Sequence, residues 1–296
     1  MIVIFITKIA CRETGNQNKV QEVFEMKKLF LLLTAILVIC AVGLVQPVAA
    51  ETLRVGCECT YFPFNYRGDD GVLTGYDIDV ARGIAEIIGA DVTFVCQKWD
   101  GMIPALLANK FDLIAASMSI TEKRLKKMSF SIPYRVSVGR LVGRKDANLN
   151  LFDSDGTPIP ANFKGVKVGL ERATTYHNWI QAKVPNATVL LYDTNDALYL
   201  DLQNGRTDVI MTNPMKAFLK FLSKEKGKDF GFLSPPLDEP SIFGIGVGIG
   251  IAKGREELLG RIDEAMKTLI KDGFLKKYAL KYFPFAIHNE NWEGAN

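Results

Sequence analysis

Strand and helix signals alternate along this chain in two separate runs, and this alternation limits the possible fold more than any other feature. The first run starts with the short strand pattern Leu53-Arg54-Val55-Gly56 and continues with a helix predicted from Asp77, as its cap, through Ile87. A stretch rich in Asp, Gly, Pro and Asn, 148–162, interrupts the pattern, which resumes at Val166-Lys167-Val168-Gly169. Alternating strands and helices predict an α/β fold with parallel sheets and covered faces.

Two α/β units joined by extended segments predict two lobes with a cleft between them. The Gly-rich run Ile242–Ile251 is predicted to be a strand, and Glu256–Ile270 a long amphipathic helix. In open α/β sheets, ligands bind beyond the carboxyl ends of the strands. We therefore expect the loops that follow the predicted strands to line the cleft.

Residues 1–50 have the pattern of a secretory signal peptide. Met26-Lys27-Lys28 is a short positive start, and the run Leu29–Val45 contains no charge. Small residues stand three and one positions before Glu51, as at a cleavage site after Ala50, whereas the apolar run is at the short end for a membrane span. The polar lead at 1–25 suggests translation from Met26 instead. We expect a protein secreted into the periplasm.

Charge and cysteine content narrow the possible functions. The formal net charge of the full chain is +3, which gives no support for a nucleic-acid partner. Three cysteines follow residue 50, and export permits a disulfide. Cys57 and Cys59 are predicted on the same face of one strand, so either could meet Cys96 if the two strands are neighbours, and an odd thiol remains. Three thiols without a fourth ligand make a metal site a weak hypothesis, and no metal or cofactor is expected.

Several short motifs then identify a family resemblance. In order along the chain they are ECTYFPF (58–64), GYDID (75–79), WDGMIP (99–104), SMSIT followed by Arg124 (117–124), FSIPY (130–134), NGRTD (204–208) and the segment 273–283. Together they resemble the family 3 bacterial solute-binding proteins for polar amino acids, over essentially all of 52–285. The resemblance implies a periplasmic-binding-protein type II fold and delivery of ligand to a membrane ABC permease.

The resemblance also implies a division into lobes and a mechanism of capture. We expect the first lobe at 51–138 plus 244–296 and the second at 139–243, with hinge segments near Gly139 and Ile242. Ligand would bind the first lobe, and the second lobe would close over it. The chain is expected to act as a monomer, with a small-molecule amino acid or opine and the ABC permease subunits as its partners.

The same resemblance assigns the ligand contacts. Arg124 looks like the arginine that grips the ligand α-carboxylate, because a guanidinium offers two parallel hydrogen bonds that lysine cannot. Ser117 and Ser119 match cleft serines that contact the ammonium and carboxylate. Thr174 matches the position where the second lobe offers its backbone N–H and hydroxyl to the carboxylate. The two aromatic walls of the ligand side chain are expected at Tyr61 and Trp99.

Two further positions bear on ligand identity. Glu58 stands where binders of basic amino acids often carry a carboxylate, which favours a ligand like arginine, lysine or ornithine. Asn213 aligns with the Asp that typically pairs with the ligand ammonium, and an amide cannot neutralise that charge. With this departure the sequence resembles the opine-binding branch of the family, whose members bind octopine and nopaline. A neutral or acidic polar amino acid is the alternative ligand.

An enzyme on the same fold, such as a dehydratase, is the rival class of function. Catalysis requires a positioned acid or base, and the two histidines, His177 and His288, are far apart in sequence. No His-Glu-x-x-His or Gly-x-Ser-x-Gly pattern occurs. Glu58 or Glu171 could still serve as a carboxylate base. The sequence favours a binding protein that is not an enzyme.

Overall fold

The structure, a computed structural model, describes residues 24–32 and 50–287. Residues 24–32 are helical and belong to a unit separate from the chain that starts at Ala50. Residues 1–23 and 33–49 of the predicted signal peptide lie outside the described residues, as does His288. No helix within the described ranges is long and apolar enough to cross a membrane.

Strands and helices alternate through residues 50–287. The strands are β1 (Thr52–Cys57), β2 (Thr60–Tyr61), β3 (Asn65–Arg67), β4 (Leu73–Thr74), β5 (Asp91–Cys96), β6 (Leu113–Ile114), β7 (Met128–Phe130), β8 (Arg140–Arg144), β9 (Lys167–Glu171), β10 (Thr188–Tyr192), β11 (Val209–Thr212), β12 (Phe230–Phe232) and β13 (Gly250–Ala252). The α-helices are α1 (Tyr76–Ile88), α2 (Met102–Leu107), α3 (Glu122–Leu125), α4 (Thr175–Lys183), α5 (Asn195–Gln203), α6 (Pro214–Ala217), α7 (Pro240–Phe243), α8 (Glu256–Lys271) and α9 (Phe274–Tyr282). Short 3-10 turns occupy Trp99–Gly101, Pro160–Phe163 and Glu225–Gly227, and a π turn occupies Phe218–Leu222.

Two five-stranded sheets confirm the predicted two-lobed α/β fold. In the first lobe the strand order is β5-β1-β6-β13-β7, with β1 parallel to β5 and β6 and with β13 antiparallel to its neighbours. The second lobe has the order β10-β9-β11-β8-β12, with β9 parallel to β10 and β11. Strands β2, β3 and β4 form a small separate sheet. The segments 131–139 and 233–249 connect the two large sheets, and the finer lobe boundaries and hinges stay predictions.

Apolar side chains cover both faces of each sheet, as the alternation predicts. On the first lobe, α1, α8 and α9 cover one face, where Ile84, Ile262 and Leu275 are buried, and α2 covers the other with Met102 and Leu106. On the second lobe, α4 and α5 cover opposite faces of β9, β11 and β8. This packing fixes the carboxyl ends of β1, β9 and β11, from which the cleft loops leave.

The start of α1 differs from its prediction, because Gly75 rather than Asp77 is the cap residue. Gly75 has φ of 127°, a left-handed conformation in which a Cβ atom would stand 2.3 Å from the Phe64 carbonyl oxygen. Only glycine fits this close approach. Asp77 therefore falls inside the first turn and points into the protein.

The predicted strand Ile242–Ile251 is also wrong over most of its length. The one-turn helix α7 ends at Phe243, and only Gly250–Ala252 joins the sheet as β13. Gly244 has φ of 81°, and a Cβ there would meet the Ile120 carbonyl oxygen at 2.1 Å. The glycines of this run thus allow a close backbone crossing rather than a continuous strand.

A disulfide joins Cys59 to Cys96, which decides between the two predicted pairings. Strands β1 and β5 are neighbours, and Cys57 is the register partner of Cys96. The strand ends at Cys57, however, so Cys59 is not on it and instead reaches Cys96 from a residue with φ of 63°. Cys57 is a buried free thiol, and burial raises its pKa to about 12.

Replacing both Cys59 and Cys96 with serine is expected to lower the free energy of unfolding by about 2–4 kcal/mol, because the disulfide closes a loop across a sequence separation of 37 residues. Urea unfolding of the variant and of the oxidised protein measures the difference. Reductant should destabilise the natural protein by a similar amount and leave the double variant unchanged. A difference below about 0.5 kcal/mol would contradict the expected contribution.

Candidate functional site

A narrow cavity lies between the two lobes at the carboxyl ends of the strands. Its lining comes from the first lobe (Glu58, Tyr61, Trp99, Ala116, Ser117, Ser119, Arg124) and from the second (Glu171, Thr174, Thr175, Tyr176). The structure thus brings together all the sequence-predicted site residues except Asn213. That these residues bind a ligand stays a prediction.

Arg124 is a buried cation with no carboxylate partner among residues 50–287. Thr121 caps the short helix α3 as predicted, through its Oγ1 and the backbone N–H of Arg124. The side chain is only 9% exposed, and its Nη1 donates to the Ser119 carbonyl oxygen at 2.9 Å. Burial lowers the pKa of Arg124 to about 10. A buried guanidinium is stable only with a counter-charge, so this group calls for an anion in the cavity.

Aromatic side chains from the first lobe reach across the cleft. The Trp99 indole Nε1 donates to the Ala173 carbonyl oxygen of the second lobe at 3.2 Å, and the ring lies 5.2 Å from the Arg124 guanidinium carbon. Tyr61 lines the cavity together with Tyr176 of the second lobe, whose hydroxyl donates to the Val138 carbonyl oxygen at 3.4 Å. The hydrogen bond from Trp99 to Ala173 thus joins the two lobes over the cavity.

The predicted hydroxyl ligands already hydrogen-bond within the protein. Ser117 Oγ donates to Asp77 at 2.7 Å, and Ser119 Oγ shares a hydrogen bond of 2.7 Å with Ser137. Thr174 Oγ1 donates to the Glu171 carbonyl oxygen at 2.7 Å and caps α4, at the backbone N–H of His177. Since a hydroxyl has one proton, Thr174 can offer a ligand its backbone N–H but not its hydroxyl proton.

Glu58 and Glu171 line the cavity from opposite lobes. Burial, reinforced by the charge of Glu171, raises the pKa of Glu58, and the charge of Lys216 opposes this shift. Burial likewise raises the pKa of Glu171, opposed by the charge of Lys216 and by the hydrogen bond that Asn195 donates to Oε2. Glu171 Oε1 has no hydrogen-bond partner among residues 50–287.

Asn213 lies behind the cavity rather than in its lining. Its Oδ1 accepts hydrogen bonds from the backbone N–H groups of Met215 and Lys216, at 2.9 and 3.1 Å, and so caps α6. The amide oxygen is therefore already in use, and the side chain is only 2% exposed.

Sequence reasoning missed the roles of Lys216 and Tyr176 and treated Glu171 only as a possible base. Glu171 ends β9 at the carboxyl edge of the sheet, where ligands bind in such folds, and this position could have identified it as a cavity residue. Lys216 carried no such signal, since a lysine in a short polar turn is usually solvated. Within the described residues, no group of three or more His, Cys, Asp or Glu side chains is arranged to hold a metal ion.

The geometry defines a class of protein: two α/β lobes that enclose a polar cavity with an arginine at one end and aromatic walls. Residues 53–285 match the bacterial extracellular solute-binding proteins, family 3. The chain is 33% identical to the L-arginine-binding protein of Pseudomonas aeruginosa over 268 residues, which cover 90% of this chain and 100% of that protein.

Solved structures agree with this assignment. An arginine-specific periplasmic binding protein of Salmonella typhimurium is 31% identical with a TM-score of 0.70, covering 79% of this chain and 100% of that one. An ancestral amino-acid-binding protein, a precursor of cyclohexadienyl dehydratase, is 30% identical with a TM-score of 0.66, covering 79% and 95%. The chain belongs to the family 3 bacterial extracellular solute-binding proteins, and its role is to bind a substrate.

Proposed function

We propose that this protein captures a free α-amino acid in the inter-lobe cavity and delivers it to the membrane permease of an ABC importer. Arg124 is the observation that supports this proposal most directly. It is buried at the cavity wall, has no carboxylate partner among residues 50–287 and packs beside Trp99. The α-carboxylate of an amino acid supplies the missing charge in a bidentate geometry.

The second lobe offers a complementary contact for the same carboxylate. Helix α4 begins at Thr175 in the cavity lining, and the first backbone N–H groups of a helix have no partner within it. Because these donors and Arg124 come from different lobes, a carboxylate that contacts both would draw the lobes together. Ligand capture and cleft closure are then one event.

Export and the absence of catalysis belong to the same proposal. The relatives include a periplasmic binding protein, and residues 1–50 have the pattern of a secretory signal, so the protein would act in the periplasm. The family resemblance implies that it acts there as a monomer. His177, which carries the only imidazole in the described residues, does not line the cavity. Glu58 and Glu171 line it, so a dehydratase-like activity is the competing function, which the ancestral relative keeps open. Intact ligand recovered after prolonged incubation would count against it.

Ligand derivatives test the requirement for a free amino acid. We expect the tightest-binding amino acid to lose at least about 100-fold in affinity when its carboxylate is amidated or its ammonium is acetylated, because each change removes one charge-assisted contact. Isothermal titration calorimetry of the purified protein, freed of ligand by unfolding and refolding, measures both losses. Equal affinity for the amino acid and its amide would refute recognition through Arg124.

A further inference from the structure

Lys216 is a fully buried lysine that projects from the second lobe to the aromatic wall of the first. Its side chain is 0% exposed, and its ammonium Nζ lies 3.9 Å from the centre of the Tyr61 ring. No hydrogen-bond partner for Nζ occurs among residues 50–287. A buried ammonium on the face of a tyrosine ring gains a cation–π interaction but still requires a counter-charge.

The two cavity carboxylates supply that counter-charge. Burial lowers the pKa of Lys216, and the negative charges of Glu58 and Glu171 are the main groups that oppose this shift. Two other charged groups, Lys220 and Asp196, also act on Lys216, but they form an ion pair with each other. The ammonium of Lys216 thus lies in the field of the same carboxylate, Glu58, that the sequence assigned to a cationic ligand side chain.

The ligand ammonium needs a different partner from Asn213. The oxygen of that amide already accepts two backbone hydrogen bonds where it caps α6, so it has no acceptor to offer. Glu171 lines the cavity from the same lobe, is 4% exposed and has one carboxylate oxygen, Oε1, without a partner among residues 50–287. A carboxylate of this kind suits an ammonium ion.

The charges around the cavity then balance for one type of ligand. Arg124 lines the cavity together with two carboxylates, Glu58 and Glu171, and the second cation, Lys216, is buried behind the cavity wall on the Tyr61 ring. An amino-acid backbone uses Arg124 for its carboxylate and Glu171 for its ammonium, which leaves Lys216 and Glu58 to neutralise each other. A cationic side chain beside Tyr61 would then be repelled by the buried ammonium of Lys216, and an acidic one would be repelled by Glu58.

We propose that Lys216 is a built-in counter-cation that makes this cleft select amino acids with uncharged side chains, with Glu171 receiving the ligand ammonium. The inference rests on the proposed function, because it concerns the side chain of the amino acid that the cavity captures. It replaces the expectation from Glu58 alone, in which the ligand supplied the cation.

Binding selectivity tests the proposal directly. The purified protein, freed of bound ligand by unfolding and refolding, is screened by thermal shift against the twenty standard amino acids and octopine. Calorimetry then gives dissociation constants for the best ligand, arginine, lysine and glutamate. We expect an uncharged amino acid to bind at least about tenfold more tightly than arginine, lysine, octopine or glutamate.

The variant Lys216→Met removes the ammonium and keeps most of the side-chain volume. Because Glu58 and Glu171 would then lack a counter-charge, we expect the affinity for arginine to rise at least tenfold. The ratio of the affinity for arginine to the affinity for the uncharged ligand should then exceed one. Lys216→Arg retains the charge and should retain the preference for an uncharged ligand. Lys224→Met, which removes an exposed lysine further along the same lobe, is the matched control and should leave the ratio of the two affinities within twofold.

The outcomes distinguish failure of the proposed function, amino-acid capture, from failure of this inference about side-chain selectivity. If the natural protein binds no amino acid, the proposed function fails and this inference fails with it. If it binds arginine, lysine, octopine or glutamate most tightly, only the inference fails. An unchanged ratio in a folded Lys216→Met variant also overturns it. Should that variant not fold, the ranking of ligands by the natural protein still decides the question.

Discussion

Replacing Arg124 with alanine is expected to weaken amino-acid binding at least about 100-fold, which corresponds to about 3 kcal/mol. The guanidinium is 9% exposed and has no carboxylate partner among residues 50–287, so a ligand carboxylate would be its counter-charge in the cavity. Truncation of one member of a buried charged pair typically costs 2–5 kcal/mol or more, because the other charge stays buried without a partner. Calorimetric titration with the tightest ligand measures the loss.

Two companion variants make this prediction specific. Arg124→Lys keeps the positive charge but loses the planar fork, so binding should recover only in part. Lys123→Ala removes the neighbouring exposed cation of the same helix and should leave affinity within twofold. Because Arg124 carries an uncompensated charge in the free protein, Arg124→Ala should not lower the thermal midpoint. A loss of affinity smaller than fivefold would place the ligand carboxylate elsewhere.

The fold was predictable because its signals are local. Each strand of the parallel cores is a short apolar run that ends in a polar loop, and each helix has apolar residues at helical spacing. The motif around Arg124 specified both its cap, Thr121, and its helix. Such features depend on neighbours within a few residues, so the sequence contains what is needed to predict them.

The electrostatics of the cavity depend instead on contacts between lobes. Lys216 is buried only because the second lobe meets Tyr61 of the first, and no local pattern distinguishes it from a solvated lysine. The sequence around Glu58 predicts a ligand cation as its partner. Lys216, the cation that the structure places behind Tyr61, is 158 residues away in the chain and leaves no local signal near Glu58. Properties that arise from long-range pairs of charges need the structure, even where the family is evident from short motifs.

Asp77 shows how a correct residue can have an incorrect role. The sequence favoured Asp77 as a helix cap because an acidic residue precedes the apolar pattern of α1. In the structure the helix cap is Gly75, two residues earlier, and the Asp77 carboxylate is 0% exposed. It accepts hydrogen bonds from Asn65, Ser117 and Tyr134, at 2.9, 2.7 and 2.8 Å. The carboxylate therefore joins the cavity serine to the loop that carries Glu58, through Asn65.

Replacing Asp77 with alanine is expected to lower the free energy of unfolding by about 3–5 kcal/mol, because three buried donors lose one charged acceptor and a cavity is left behind. Denaturant unfolding measures this loss. Asp77→Asn keeps the shape but exchanges one acceptor oxygen for a donor, so it should cost less than alanine yet release Ser117 or Tyr134. Glu86→Ala removes an exposed carboxylate from the same helix and should change stability by less than about 0.5 kcal/mol. If Asp77→Ala is as stable as Glu86→Ala, the Asp77 carboxylate is not the structural link between the cavity and the first lobe. If Asp77→Ala is much less stable, and also binds ligand more weakly at temperatures where it stays folded, the same hydrogen bonds serve both stability and ligand capture.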